Sequence, residues 1–386
     1  MLLAGLLTIA DGGLADAPAE LGEDVKLLFQ VVTCQDGALP ATLDPKTVAA
    51  YCTKQKDRFN RFQAHWGTHA QQFLVGLEPT DLPAEVIYPF GGGDLMMALA
   101  AFPDAKVITT LSLELAGDPR RLRTLTDKVA LEQSLKGIAE ASATTLASND
   151  SKSVNLSKIQ QGELPGQLSM HLMGLALFGY VPISARYFRI EPDGALHYFT
   201  NAEIAALEGQ SAPRLKSNWK PADFSPAFAN VEVQFVPKDK PDAPPRIHRH
   251  IGANLSDEGL KLAPGVLAHL ASKGQVTAMT KAASYLLWRD DFATIRDYLL
   301  GHARFMLSDS TGVPLRFWKK AKCAVVTYGS FQKSFLGTWE IYQKELREEF
   351  EAQPARKLPM RFGYPDGSAE KRSHLFTALC PAVTGK

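Results

Sequence analysis

EVIYPFGGGD (residues 85–94), followed by LMMALAAF (95–102), PDA (103–105) and KVITTLSLE (106–114), is the stretch that decides the fold. Glu85 to Phe90 reads as a short apolar strand, and β-branched Val107, Ile108, Thr109 and Thr110 begin a second. Between them Gly91-Gly92-Gly93-Asp94 is a turn, and Leu95 to Phe102 a helix that Pro103-Asp104 stops. Strand, glycine turn, helix, strand is the opening unit of a parallel α/β sheet. Glu114 ends the second strand about 20 residues beyond the glycines, where a carboxylate accepts ribose hydroxyls in nucleotide-binding folds.

Working outward, Glu20 to about Leu77 has a helical pattern carried by Val48, Tyr51, Cys52, Phe59, Phe62, Trp66 and Phe73, which Pro79 and Pro83 end. Further helices are expected at Arg120–Thr145, Leu164–Phe178, Gly265–Ser272, Phe292–Met306 and Trp339–Ala352. A polar linker lies around Ala147–Ser157 and a proline-containing loop at Ser211–Asn230. Val181–Ile190 and Ala195–Thr200 flank Pro192-Asp193-Gly194 as a β-hairpin, and Val231–Val236 with Arg246–Leu255 form a second pair. Gln275–Lys281, Ala324–Gly329 and Met360–Tyr364 complete the extended segments. The expectation is an α/β protein: a Rossmann-like mixed sheet flanked by helices and extended by antiparallel strand pairs. Residues 18–84 would be an N-terminal helical region, and 85–386 a single α/β domain.

The formal net charge is +1, from 42 basic and 41 acidic residues, so the basic excess that drives phosphate-backbone binding is absent and nucleic acid is not expected. No run approaches the roughly 18–20 apolar residues of a transmembrane helix. Residues 1–17 read as the rear of a signal segment: Met1 to Ala10 is nearly all apolar, and Ala15-Asp16-Ala17 has a small-residue cleavage pattern. A short first element packed on the core is the other reading. Cys34 and Cys52 flank a short loop and suit a local disulfide, leaving Cys323 and Cys380 as a second pair; plain thiols are the alternative. A periplasmic or envelope location is expected, with cytoplasmic as the other option.

At the glycine turn, bare backbone can approach a ligand, and the following helix directs N–H groups into the same space. This segment resembles the class I S-adenosylmethionine-dependent methyltransferases and their Rossmann-like relatives over residues 85–114. The resemblance implies Gly91 and Gly93 against the amino-acid part of the cofactor and Glu114 on its ribose. Tyr88-Pro89-Phe90 stands where those enzymes carry an acidic residue, and Met96 occupies the third position of GxGxxG. YPFGGGD with the FPDAK turn also resembles a family of exported bacterial proteins that carry a YPF-x-G-x-D element and have no assigned activity.

Other residues suit other chemistry. His248 and His250 (RIHRH) are two apart on a strand and point to one face; His65 and His69 are four apart on a helix. Either pair offers two metal ligands. Tyr328, ending the AVVTYG strand, would border the crevice at Asp94 if that strand is parallel to the first. Ser308-Asp309-Ser310-Thr311-Gly312 reads as an Asx-type turn, with Asp309 and Arg316 in reach as an ion pair. Lys281 and Tyr285 stand in reversed order for a short-chain-dehydrogenase pair, which leaves Lys281 as a polar contact. The expected ligand-facing residues are therefore Tyr88, Gly91, Gly92, Gly93, Asp94, Glu114 and Tyr328. The expected function is a binding or assembly protein for a protein partner or small molecule. An S-adenosylmethionine-dependent methyltransferase and a metal-dependent hydrolase are the alternatives.

Overall fold

Strands β1 (Glu85–Pro89) and β2 (Val107–Ser112) pair in parallel from Glu85↔Val107 to Pro89↔Leu111, joined through a two-turn helix at Leu95–Ala101. The computed structural model describes residues 17–148, 163–208, 210, 225–333, 340–363 and 373–382. In chain order the helices are α1 Gly22–Thr33, α2 Pro45–Phe62, α3 Thr68–Val75, α4 Leu95–Ala101, α5 Arg121–Thr124, α6 Lys128–Ser148 and α7 Gly166–Leu177. They continue as α8 Asn201–Leu207, α9 Asp257–Leu262, α10 Pro264–Ala271, α11 Ala293–His302, α12 Leu315–Lys320 and α13 Glu340–Ala352. The remaining strands are β3 Tyr180–Ile190, β4 Leu196–Tyr198, β5 Asn230–Pro237, β6 Arg246–Gly252, β7 Val276–Thr280, β8 Ala303–Ser308, β9 Ala324–Gly329 and β10 His374–Leu379.

All ten strands form one sheet, in the order β4-β3-β5-β6-β2-β1-β7-β8-β10-β9. Its centre, β6-β2-β1-β7-β8, is parallel; β3, β4 and β5 extend one side antiparallel, and β10 lies antiparallel between β8 and β9. The expected mixed sheet is therefore present. From β1 the chain passes to β2 and β6 on one side, then returns to place β7 on the other. The order reverses between β1 and β7, and such a switch point opens a crevice at the carboxyl ends of the strands.

Alternation along the strands sends side chains to two apolar layers. Val86, Tyr88 and Ile108 join the layer built with α1–α4, α6 and α7, while Ile87, Leu111 and Ala278 join the layer of α9–α12. α7 is buried almost all round, as its apolar sequence requires. Among the described residues no helix is long and apolar enough to cross a membrane.

Several boundaries differ from the expected ones. The helical run from Glu20 is three helices, because α1 ends at Cys34 in a left-handed conformation (φ +59°) and α2 restarts at an Asp44 cap whose carboxylate accepts the Thr47 N–H. α5 and α6 are separate helices, α5 ending at Leu125. The helix expected over Phe292–Met306 stops at His302 and continues directly as β8, whose residues are buried on both faces and show no alternation. Met360 and Phe362 pack into the core as loop residues; the last strand is β10. Residues 1–16, most of the 147–157 linker, most of the 211–230 loop, Trp339 and Tyr364 lie outside the described residues.

Candidate functional site at the carboxyl ends of the central strands

β1 gives way at Phe90, a bulky residue held at φ +59° with its ring edge-on to Phe292 at 5.7 Å. A left-handed non-glycine residue costs about 1–2 kcal/mol, and such strain concentrates at functional sites. Gly92 follows at φ +52°, and a Cβ on Gly91 would lie 2.9 Å from the Tyr88 ring. The Asp94 N–H donates to Gly91 O at 2.9 Å and closes the turn. Every residue from Tyr88 to Ala101 is buried, with the Tyr88 ring against Gly91 and the Phe90 ring in the opposite layer. α4, which follows the turn, is seven residues long and buried throughout.

Asp94 joins two segments across the switch point. The Tyr88 hydroxyl donates to Asp94 Oδ2 at 3.0 Å, and Lys281 Nζ, one residue past β7, stands 3.5 Å from the same oxygen. The Lys281 and Asp94 side chains are 1% and 0% exposed. Charges so deeply buried require partners, and each supplies the other's.

The second half of the site is histidine-rich. In-register pairing of β2 with β6 sets Ile108 beside His248 and Thr110 beside His250. Both histidines lie on one buried face, as their spacing predicts. His171, from α7, brings its ring to 4.4 Å from His248 and 5.0 Å from His250. Burial depresses all three imidazoles: His250 to about 4, with His171 and His248 well below the usual value, each also opposed by neighbouring histidines. The rings are neutral at pH 7, and a neutral imidazole has one donor and one acceptor.

Hydrogen bonds then assign the protons. His250 Nε2 lies 2.7 Å from Glu114 O, so it donates there and its Nδ1 accepts from the Thr110 hydroxyl at 3.2 Å. The Thr110 oxygen in turn accepts from His248 Nε2 at 3.0 Å. His171 Nε2 donates to Gly92 O at 3.0 Å, linking the cluster to the glycine turn. Nδ1 of His171 and Nδ1 of His248 are left as acceptors with no protein donor. Gln167 Oε1, Glu114 Oε1 and Ser112 Oγ are also buried without partners. Buried polar atoms are nearly always hydrogen-bonded, so this group marks a place for water or a ligand.

Of the residues expected at the site, Tyr88, Gly91, Gly92, Gly93, Asp94 and Glu114 come together with His248 and His250. Tyr328 does not join them. β9 runs parallel to β1, but three strands intervene, a backbone separation of about 19 Å at roughly 4.8 Å per strand. The Tyr328 ring instead packs edge-on to Phe73 at 5.8 Å, with Arg356 at its face. His250 has both ring nitrogens engaged, and no three His, Cys, Asp or Glu side chains among the described residues are arranged to hold a metal ion. His65 and His69 are both exposed, His65 within the π turn Gln63–Gly67 and His69 in α3 just beyond it. Asp309 Oδ1 accepts the Thr311 N–H at 2.8 Å, the Asx-type turn the sequence suggests, while Arg316 pairs with Glu345.

Cys34 is bonded to Cys52, tying α1 to α2, and Cys323 to Cys380, joining the start of β9 to the end of β10. Disulfides of this kind persist in oxidising compartments. Sequence reasoning missed His171, Gln167 and Thr110. The one signal for His171 was a single ionisable residue inside an otherwise apolar helix, LSMHLMG. Compared with protein-family models, curated proteins and solved structures, the chain matches none.

Proposed function

We propose that the chain is an extracytoplasmic binding protein whose Rossmann-like frame holds a small hydroxyl-rich molecule at the carboxyl ends of β1, β2 and β6. One observation carries this reading. The unpartnered buried ring nitrogens of His171 and His248 and Oε1 of Glu114 are acceptors, Ser112 Oγ accepts as readily as it donates, and the Gln167 amide, whose other end meets the donating His171 Nε2, turns its NH2 to the same side. Three acceptors with a hydroxyl and an amide beside them suit a ligand rich in hydroxyl groups, such as a sugar, a polyol or the ribose of a nucleoside. Two disulfides support a periplasmic or other oxidising location. Tyr88 and Lys281 meet Asp94 beside the glycine turn, and His171 Nε2 donates to Gly92 O within it.

A transferase of the methyltransferase type is the second reading, favoured by the strand order. β6-β2-β1-β7-β8 follows the 3-2-1-4-5 order of doubly wound nucleotide-binding sheets. In this reading Glu114 accepts the ribose hydroxyls of S-adenosylmethionine.

Thermal unfolding of the disulfide-bonded chain with ribose, adenosine, a panel of hexoses and S-adenosylmethionine tests both readings. A ligand at about 100 times its Kd adds about 2.7 kcal/mol of stability and raises the Tm. Glu114→Gln and His171→Phe should abolish that rise. S-adenosylmethionine acting alone would favour the transferase. A flat response to every donor-rich compound, or a response unchanged in Glu114→Gln, overturns the proposed site.

A further inference from the structure

A π turn at Gln63–Gly67 separates α2 from α3. Such a turn accommodates one extra residue, rotating everything beyond it by about 100° relative to an unbroken α-helix, and is frequent at functional sites. This one is fixed by its surroundings. The Gln63 amide donates to Leu177 O at the end of α7, and the Trp66 indole donates to Arg361 O at 2.7 Å. A Cβ on Gly67 would lie 2.3 Å from Gln63 Oε1.

Beside the turn is a pocket of about 450 Å³, within the range of roughly 300–1,000 Å³ usual for small-molecule sites. Phe62 and Trp66 line it, their ring centroids 5.3 Å apart. Arg58, Arg61, His65 and Arg361 also line it, and no acidic residue does among those described. Arg58 is half-buried and donates to two neutral acceptors, Gln55 Oε1 at 3.2 Å and Ala139 O at 2.9 Å, with no carboxylate partner among the described residues. Arg61 shares its charge with Asp57 on the solvent side.

A guanidinium held by neutral groups beside aromatic faces suits a ligand with two parts. The anionic head meets the planar N–H fork of arginine, and a flat apolar body lies against the edges of Phe62 and Trp66, which are 4% and 5% exposed, and against Ala143 and Leu146. We infer that this pocket binds a small organic anion, a carboxylate or phosphate carried on an aromatic body, at a site separate from the histidine cluster.

Calorimetric titration of the disulfide-bonded chain tests this with phenyl phosphate, benzoate, inorganic phosphate and benzyl alcohol. Saturable one-to-one binding of phenyl phosphate or benzoate is expected, and whichever is tighter identifies the head group. Inorganic phosphate and benzyl alcohol should each bind at least tenfold more weakly than the better aromatic anion. Arg58→Gln should weaken binding at least tenfold. Because Arg58 also supports the Ala139 carbonyl, His65→Glu is the companion variant: it places a negative charge at the exposed rim and should weaken binding to a similar degree in a folded protein. Silence from both aromatic anions, inorganic phosphate binding as tightly as phenyl phosphate, or unchanged affinity in His65→Glu overturns the inference.

Discussion

Replacing Lys281 with methionine removes one half of an ion pair whose side chains are 1% and 0% exposed, with Nζ and Oδ2 3.5 Å apart. At that separation and an effective dielectric constant of about 20, Coulomb's law gives an attraction of about 5 kcal/mol. Desolvation of both groups offsets much of this, yet stranding one buried partner costs about 3–5 kcal/mol. Lys281→Met should therefore lower the unfolding free energy by that amount. Asp94→Asn, which keeps an acceptor for the Tyr88 hydroxyl, should fall in the same range. The double variant removes both charges of the pair and should lose distinctly less than the sum, a coupling of about 2 kcal/mol or more. Urea unfolding with the disulfides intact and matched m-values measures all four corners of the cycle. Losses that add to within about 0.5 kcal/mol would refute the reasoning: Lys281 and Asp94 would then not act as the clasp between β1 and β7.

Three other outcomes follow from local geometry. In the chain-entropy relation, opening the Cys34–Cys52 loop (separation 18) costs about 3 kcal/mol and the Cys323–Cys380 loop (separation 57) about 4 kcal/mol. Cys323→Ser/Cys380→Ser should thus be the more destabilised double variant in non-reducing urea melts, and the opposite ranking counts against the entropic account. His250 titrates near 4 in the folded protein and near 6.5 when unfolded, so the unfolded chain binds more protons between those values. Its contribution to stability is unchanged above pH 6.5 and falls as pH drops towards 4, while Glu78, raised to about 7 by burial and by Asp104, acts oppositely as pH rises from about 4.5 to 7. His250→Gln should accordingly lose less stability than the parent between pH 6.5 and 4, and parallel curves would contradict this. Gly92→Ala, at φ +52°, should cost about 1–2 kcal/mol in the same melts; a neutral result would mean that the turn relaxes freely.

The parallel unit at residues 85–114 was legible because each signal there is local: β-branched runs, adjacent glycines and a Pro-Asp stop. The two strand pairs at β3–β4 and β5–β6 were legible for the same reason. β8 was not, since ARFMLS is buried on both faces and prolongs the apolar pattern of α11 without a turn residue between them. β10 was passed over because its place in the sheet depends on pairing with β8 and β9, which are distant in sequence. At the site, Asp94 and Glu114 were visible through their spacing from the glycines. Lys281 was visible only as a residue in the wrong order for a known pair. His171 reaches the cluster because α7 packs across the sheet, and no spacing near His248 and His250 encodes that.

The glycine turn is where sequence and structure diverge most instructively. A nucleotide-binding loop uses glycine so that phosphate or cofactor can meet bare backbone. Here the bare face of Gly91 meets the Tyr88 ring, and the Tyr88 hydroxyl is held by Asp94. The turn therefore serves the protein's own interior, with Lys281 on one side of it and His171 on the other. Unmet hydrogen-bonding capacity lies sideways, between β2, β6 and the start of α7, and most of it is acceptors: His171 Nδ1, His248 Nδ1 and Glu114 Oε1. Glu114 belongs to both descriptions: it ends β2 at the distance expected of a ribose-binding carboxylate, and one of its oxygens is among the unpartnered atoms. If a ligand binds this edge of the sheet, Glu114 is the residue whose neutralisation should be felt first.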